Sequence, residues 1–200
     1  MASRLANVPN FISIARLLAV PLVVWLILEN RFEGAFWVFI LAGISDAVDG
    51  FIAKQMDAES ELGMYLDPIA DKVLLVSVYL SLGVENILPG WLVILVVFRD
   101  VLIVGGVLLS QTFIEKSVKM APLWISKINT TAQIGLAAFV LAWFAFNLGT
   151  ALTFIVADAL VDFVAATTFF SGMAYLVRWV RGFSESESVS CQGKNKLLFG

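Results

Sequence analysis

Four aspartates form the first pattern with chemical content. Asp46 and Asp49 are three residues apart, Asp67 and Asp71 are four apart, and all four lie in strongly apolar surroundings. On a helix, either spacing puts both members of a pair on one face. Four carboxylates gathered at one point would repel each other and take up protons unless cations balanced them. Two divalent ions match four charges, and all-oxygen ligands select a hard ion, Mg2+ or Mn2+. Such a pair of ions stabilises the attacking and leaving oxygens in phosphoryl transfer, and a positioned carboxylate can take the proton of an attacking hydroxyl. The chain has no histidine, so acid–base work falls to carboxylates, lysine or water. Its one cysteine, Cys191, lies in a polar tail and excludes an intrachain disulfide. Gly50 and Gly63 flank the aspartates, and their missing side chains allow a ligand or a neighbouring helix close to the backbone.

The elements that must hold these residues are apolar. Of the 200 residues, 60% are hydrophobic and 14% charged, outside the balance of a soluble domain. A net charge of −3 and the lack of a basic patch with interleaved aromatics exclude a nucleic-acid partner. The apolar residues come in blocks that predict an all-α, polytopic membrane protein with six transmembrane helices, at about 17–28, 35–53, 62–82, 91–109, 128–146 and 152–180. Before the first span, the segment from Asn7 to Phe11 reads as a turn into a short interfacial amphipathic helix carrying Phe11, Ile12, Ala15 and Leu18 on one face. Residues 1–10 do not read as a cleavable signal, so the first span is expected to stay as an anchor. Residues 1–183 are expected to form one membrane domain, and the serine- and glutamate-rich tail at 184–200 is expected to be disordered.

Positive charge orients the chain. With six spans, one side collects Arg4, Arg16, Lys54, Lys116, Lys119, Lys127, Arg178, Arg181, Lys194 and Lys196, against Arg31 alone on the other. That asymmetry puts both termini and the aspartates on the cytoplasmic side. Lys72 and Arg99 remain inside the spans. Lys72 is expected to snorkel or to pair with an aspartate. Arg99 and Asp100 are neighbours that can neutralise one another, a structural role for Asp100. Asp158 and Asp162 are expected near the outer end of the last span and receive no role.

The order Asp46-x2-Asp49-Gly50-x2-Ala53-Lys54-x8-Gly63-x3-Asp67-x3-Asp71 resembles the signature of the CDP-alcohol phosphotransferases, with lysine at 54 where the family has arginine. The resemblance implies a six-helix, dimeric membrane enzyme that transfers a substituted phosphoryl group from a CDP-linked donor to an alcohol and releases CMP. It implies Asp46, Asp49, Asp67 and Asp71 as metal ligands, with Asp71 also the general base. It implies that Asp46, Gly50, Ala53, Lys54, Gly63 and Asp67 bind the CDP donor. The stretches Leu41–Ala53, Phe98–Val101 and Pro122–Thr130, in a likeness running from about Val8 to Arg181, are similar to cardiolipin synthases of the eukaryotic type. These join CDP-diacylglycerol to phosphatidylglycerol; a bacterial cytoplasmic membrane is the expected location. The alternative is phosphatidylglycerophosphate synthase, with glycerol 3-phosphate as acceptor. Both acceptors carry a phosphate, for which Arg16, Arg99 and Lys127 are the candidate contacts. From another class, intramembrane aspartates also suit a cation-coupled transporter.

Overall fold

The computed structural model describes the backbone of residues 7–56, 61–113 and 124–198, and the side chains of residues 15–45, 72–105 and 124–177. Six helices follow one another: α1 (Asn7–Leu28), α2 (Phe32–Met56), α3 (Glu61–Val84), α4 (Gly90–Phe113), α5 (Trp124–Ala145) and α6 (Ala151–Leu198). No strand occurs among the described residues. Each apolar block of the sequence falls on one helix. Two helical stretches, Trp124–Ala145 and Ala151–Val177, are by themselves long and apolar enough to cross a membrane. Shorter apolar stretches occupy Ala15–Leu28, Phe32–Ser45 and Lys72–Val84.

One expectation is corrected. No separate interfacial helix precedes the first span, because α1 runs unbroken from Asn7 to Leu28. Pro9 sits in its first turn, where a missing N–H costs no helical hydrogen bond, and Pro21 is accommodated inside the helix. At the other end, the backbone of α6 is helical to Leu198. No proline follows Pro122, and Glu, Gln, Lys and Leu in the tail all favour helix.

Three helix pairs turn at one end of the bundle, and the same device closes each turn. Asn30, Asn86 and Asn147 adopt left-handed backbone (φ 57°, 57° and 51°), a conformation asparagine tolerates better than most residues. The next N–H reaches back to the helix in each case: Arg31 to the Leu26 carbonyl (2.8 Å), Ile87 to Leu82 (2.9 Å) and Leu148 to Trp143 (3.1 Å). These are Schellman closures that satisfy orphan carbonyls. Helix α6 then starts on a reciprocal cap. The Thr153 N–H donates to Thr150 Oγ1 (3.3 Å) and the Thr150 N–H donates to Thr153 Oγ1 (3.2 Å).

The core lies between the helices, with Val23 and Ile27 of α1, Phe39 of α2, Val78 and Leu82 of α3, Leu92 and Val96 of α4, and Leu136 and Leu141 of α5 all buried. Helix α1 packs on both α2 and α3, and α5 packs on α2, α3 and α6. Many large apolar side chains face outward, among them Leu18, Ile94, Phe98 and Ile155, as expected of a surface in contact with lipid rather than water. One buried hydrogen bond ties α3 to α5: the Tyr79 hydroxyl donates to the Gln133 carbonyl at 3.0 Å, with Tyr79 fully buried. Tyr79→Phe is expected to lower stability by about 1 kcal/mol, the usual net worth of one such bond. The thermal midpoint of the purified protein in detergent measures it.

Helices α5 and α6 run antiparallel in a register fixed at two points. Trp143 meets Phe154 edge-to-face at 4.8 Å between ring centroids. The Asn129 Oδ1 accepts from Thr167 (2.9 Å) and Thr168 (2.8 Å). That register sets Asp162 opposite Gly135, near the middle of α5 and deeper than the outer end expected for it. Both Asp158 and Asp162 are exposed on the outer face of α6.

Candidate active site

The four aspartates fall on helical backbone, Asp46 and Asp49 in the last turns of α2 and Asp67 and Asp71 in the first turns of α3. Their side chains, and those of Gly50, Ala53, Lys54 and Gly63, lie outside the described residues. Among the described residues no three metal-ligating side chains cluster.

What the structure does describe is the space beside them. Helices α2 and α3 make no close backbone approach among the described residues; α1 and α5 bridge them instead. A cavity of about 330 Å³ occupies the gap, lined by Arg16 of α1, Gly43 and Ile44 of α2, Lys72 and Leu75 of α3, and Thr130 of α5. Gly43 precedes Asp46 by three residues, about 4.5 Å along a helix axis, and Lys72 directly follows Asp71. Both helices that carry the aspartates therefore contribute to the wall of one cavity. Among the described residues the two helices stand apart, with room for a ligand between them. The wall is mostly apolar, with Arg16 and Lys72 as its cations. A second recess of about 670 Å³ lies at the opposite end of the bundle, against the Asn30 turn and Phe144.

The three candidate phosphate contacts occupy different places. Arg16 is buried, 4% exposed, and lines the cavity. Lys127 is exposed on α5, its ammonium 5.4 Å from the Trp124 ring, one turn before Thr130 and on the same face. Arg99 is 3% exposed and engaged on every side. Its Nη1 donates to Asp100 Oδ1 at 2.7 Å, and its Nη2 donates to Ser126 (2.6 Å) and Ser171 (2.7 Å). Its Nε also donates to Ser171, at 3.3 Å. Arg99 is not among the residues lining the cavity. Lys72 pairs with an aspartate, one of the two roles expected of it: its Nζ donates to Asp100 Oδ1 at 2.8 Å.

Sequence reasoning missed most of this polar interior. Ser126, Asn129 and Gln133 on α5 and Thr168 and Ser171 on α6 join it, and all but Ser126 are fully or almost fully buried. Asp100 Oδ2, Asn129 Nδ2 and both side-chain polar atoms of Gln133 have no partner among the described residues. The signal was present as polar residues recurring at helical spacing within apolar spans, where they serve as contacts between helices.

A helical bundle with a cavity between two aspartate-bearing helices defines a class, and comparison with known proteins agrees. The family model for CDP-alcohol phosphatidyltransferase matches residues 6–177, and the chain belongs to that family. Among curated relatives, a rice protein named CDP-diacylglycerol–glycerol-3-phosphate 3-phosphatidyltransferase 1, chloroplastic, is 36% identical over 88% of this chain and 58% of its own length. The human cardiolipin synthase (CMP-forming) is 34% identical over 84% of this chain and 60% of its own. A protein of the same name from Streptomyces coelicolor is 39% identical over 52% of this chain and 53% of its own. The chain thus spans little more than half the length of these relatives. Family membership leaves the transporter reading without support.

Proposed function

We propose that the protein is a cardiolipin synthase of the CMP-forming kind. A hydroxyl of phosphatidylglycerol attacks the phosphatidyl phosphorus of CDP-diacylglycerol. A P–O bond forms to the acceptor, the P–O bond to CMP breaks, and the hydroxyl proton passes to the carboxylate of Asp71. Asp46, Asp49, Asp67 and Asp71 are a hard, all-oxygen donor set suited to Mg2+ or Mn2+. Bound divalent cations, two by charge balance, would neutralise charge on the departing CMP. Gly50, Ala53, Lys54 and Gly63, with Asp46 and Asp67, cradle the CDP group in this reading.

The observation that carries the proposal is the apolar cavity with two cationic wall residues, lined by Gly43 and Ile44 shortly before Asp46 and by Lys72 directly after Asp71. A lipid phosphate with apolar chains suits such a space better than a small, fully water-soluble acceptor does. Names among the relatives point the same way, although the rice protein's name keeps glycerol 3-phosphate as the second reading. Six membrane spans, cytoplasmic termini, a bacterial cytoplasmic membrane and a homodimer complete the proposal, supported by the charge asymmetry and by the family.

Purified protein given CDP-diacylglycerol and Mg2+ is expected to make cardiolipin when phosphatidylglycerol is supplied. A phosphatidylglycerophosphate product, with glycerol 3-phosphate as the better acceptor, would overturn the assignment. In the same assay Lys54→Arg is expected to keep CMP release within about threefold of the wild type, because the positive charge at the nucleotide is retained. A larger loss would show that the site is shaped around the lysine.

A further inference from the structure

Four helices are tied together at the level of the residue after Asp71. Helix α4 supplies Arg99 and Asp100, α5 supplies Ser126, α6 supplies Ser171 and α3 supplies Lys72. The carboxylate at the centre is used unevenly. Asp100 Oδ1 accepts from both Arg99 and Lys72, whereas Oδ2 has no partner among the described residues. The two cations differ as well. Arg99 is sealed in the interior and shares its donors among Asp100, Ser126 and Ser171, so its guanidinium is held in one orientation. The Lys72 side chain is 26% exposed, against 4% for Asp100, and it forms part of the cavity wall.

A flexible lysine at a cavity wall would otherwise sample many rotamers. Here a single buried carboxylate holds its ammonium, and a guanidinium clamped across three helices holds that carboxylate. An ammonium has three donors, so the bond to Asp100 leaves two for an anion in the cavity. We infer that Asp100 is a positioning residue: it aims the Lys72 ammonium into the cavity, where Lys72, rather than Arg99, binds a substrate phosphate. This deepens the proposed reading and rests on it for the identity of the substrate. The shared chemistry is a phosphate anion, carried by either the acceptor or the CDP-linked donor.

The test is a kinetic cycle on the full-length protein, read as CMP release with each substrate varied in turn. Lys72→Gln is expected to raise KM for one of the two substrates by about tenfold, the usual scale for one charge-assisted hydrogen bond, with kcat within about twofold. Lys72→Arg restores most of the loss. Arg99→Met with Asp100→Leu removes the whole buried pair, a replacement that bundles often tolerate, and is expected to raise the same KM by a similar factor. Adding Lys72→Gln to that double variant changes nothing further, because Asp100 acts through Lys72. Whether KM rises for the acceptor or for CDP-diacylglycerol identifies which phosphate is held. An unchanged KM in Lys72→Gln overturns the inference, as does a folded Arg99→Met, Asp100→Leu variant with wild-type KM. Multiplicative losses overturn it too, since they would mean that Arg99 touches substrate independently. Glycerol 3-phosphate can replace phosphatidylglycerol throughout, so failure of the acceptor assignment would change the lipid product without erasing the cycle.

Discussion

Asp71→Asn is expected to lower CMP release by at least about a hundredfold, the lower end of what a positioned general base contributes. The amide keeps an oxygen where the carboxylate had one but cannot take a proton from the attacking hydroxyl. The residue stands in the first turns of α3, one position before Lys72, which lines the cavity between α2 and α3. The measurement is CMP release at saturating donor, acceptor and Mg2+, with the thermal midpoint followed in parallel. A variant that folds normally and keeps more than about a tenth of the activity would mean that another group takes the proton. Asp67→Asn is the informative companion. In the proposed assignment it weakens metal and donor binding, so raising the Mg2+ concentration should recover more of its activity than of Asp71→Asn.

The second large effect concerns stability. Asp100→Leu leaves the Arg99 guanidinium, only 3% exposed, without its anion. Breaking a buried pair from one side costs about 3–5 kcal/mol, much more than replacing both partners with apolar groups. The single variant should therefore unfold at a markedly lower temperature than the Arg99→Met, Asp100→Leu double variant. Thermal unfolding of both in the same detergent measures the gap. Equal midpoints would mean that Arg99 finds other compensation inside the bundle. This result also bears on the phosphate assignment. A surface arginine reserved for substrate would leave folding nearly untouched when its neighbour is neutralised, whereas an arginine that ties α4 to α5 and α6 would not.

Much of the architecture was legible because apolar block length and helix length are set by the same rise per residue. Each of the six blocks became one helix, since a long apolar run satisfies its backbone hydrogen bonds most simply as a helix. Boundaries were less legible. The N-terminal turn disappeared because a proline in a helix's first turn costs nothing, and the same proline seen in sequence alone reads as a breaker.

The aspartate pattern illustrates the division most clearly. Its spacing alone placed two pairs on two helix faces, and the order of charged loops placed both pairs at one end. Local periodicity and charge are properties of the chain, and no tertiary contact is needed to read them. How the two helices are placed relative to one another depends on the helices that carry no aspartate. Among the described residues α1 and α5 bridge α2 and α3, and a cavity lies between them. The fate of Arg99 was equally hidden. In sequence, an arginine beside an aspartate in an apolar span is as suited to substrate as to structure. Ser126 and Ser171 decide between these roles, and they lie 27 and 72 residues away along the chain. The sequence by itself determined which residues could do chemistry and on which helices they ride. Only the packing of six helices decided which cation reaches the cavity, because a side chain's partners are set by neighbours distant in sequence and close in space.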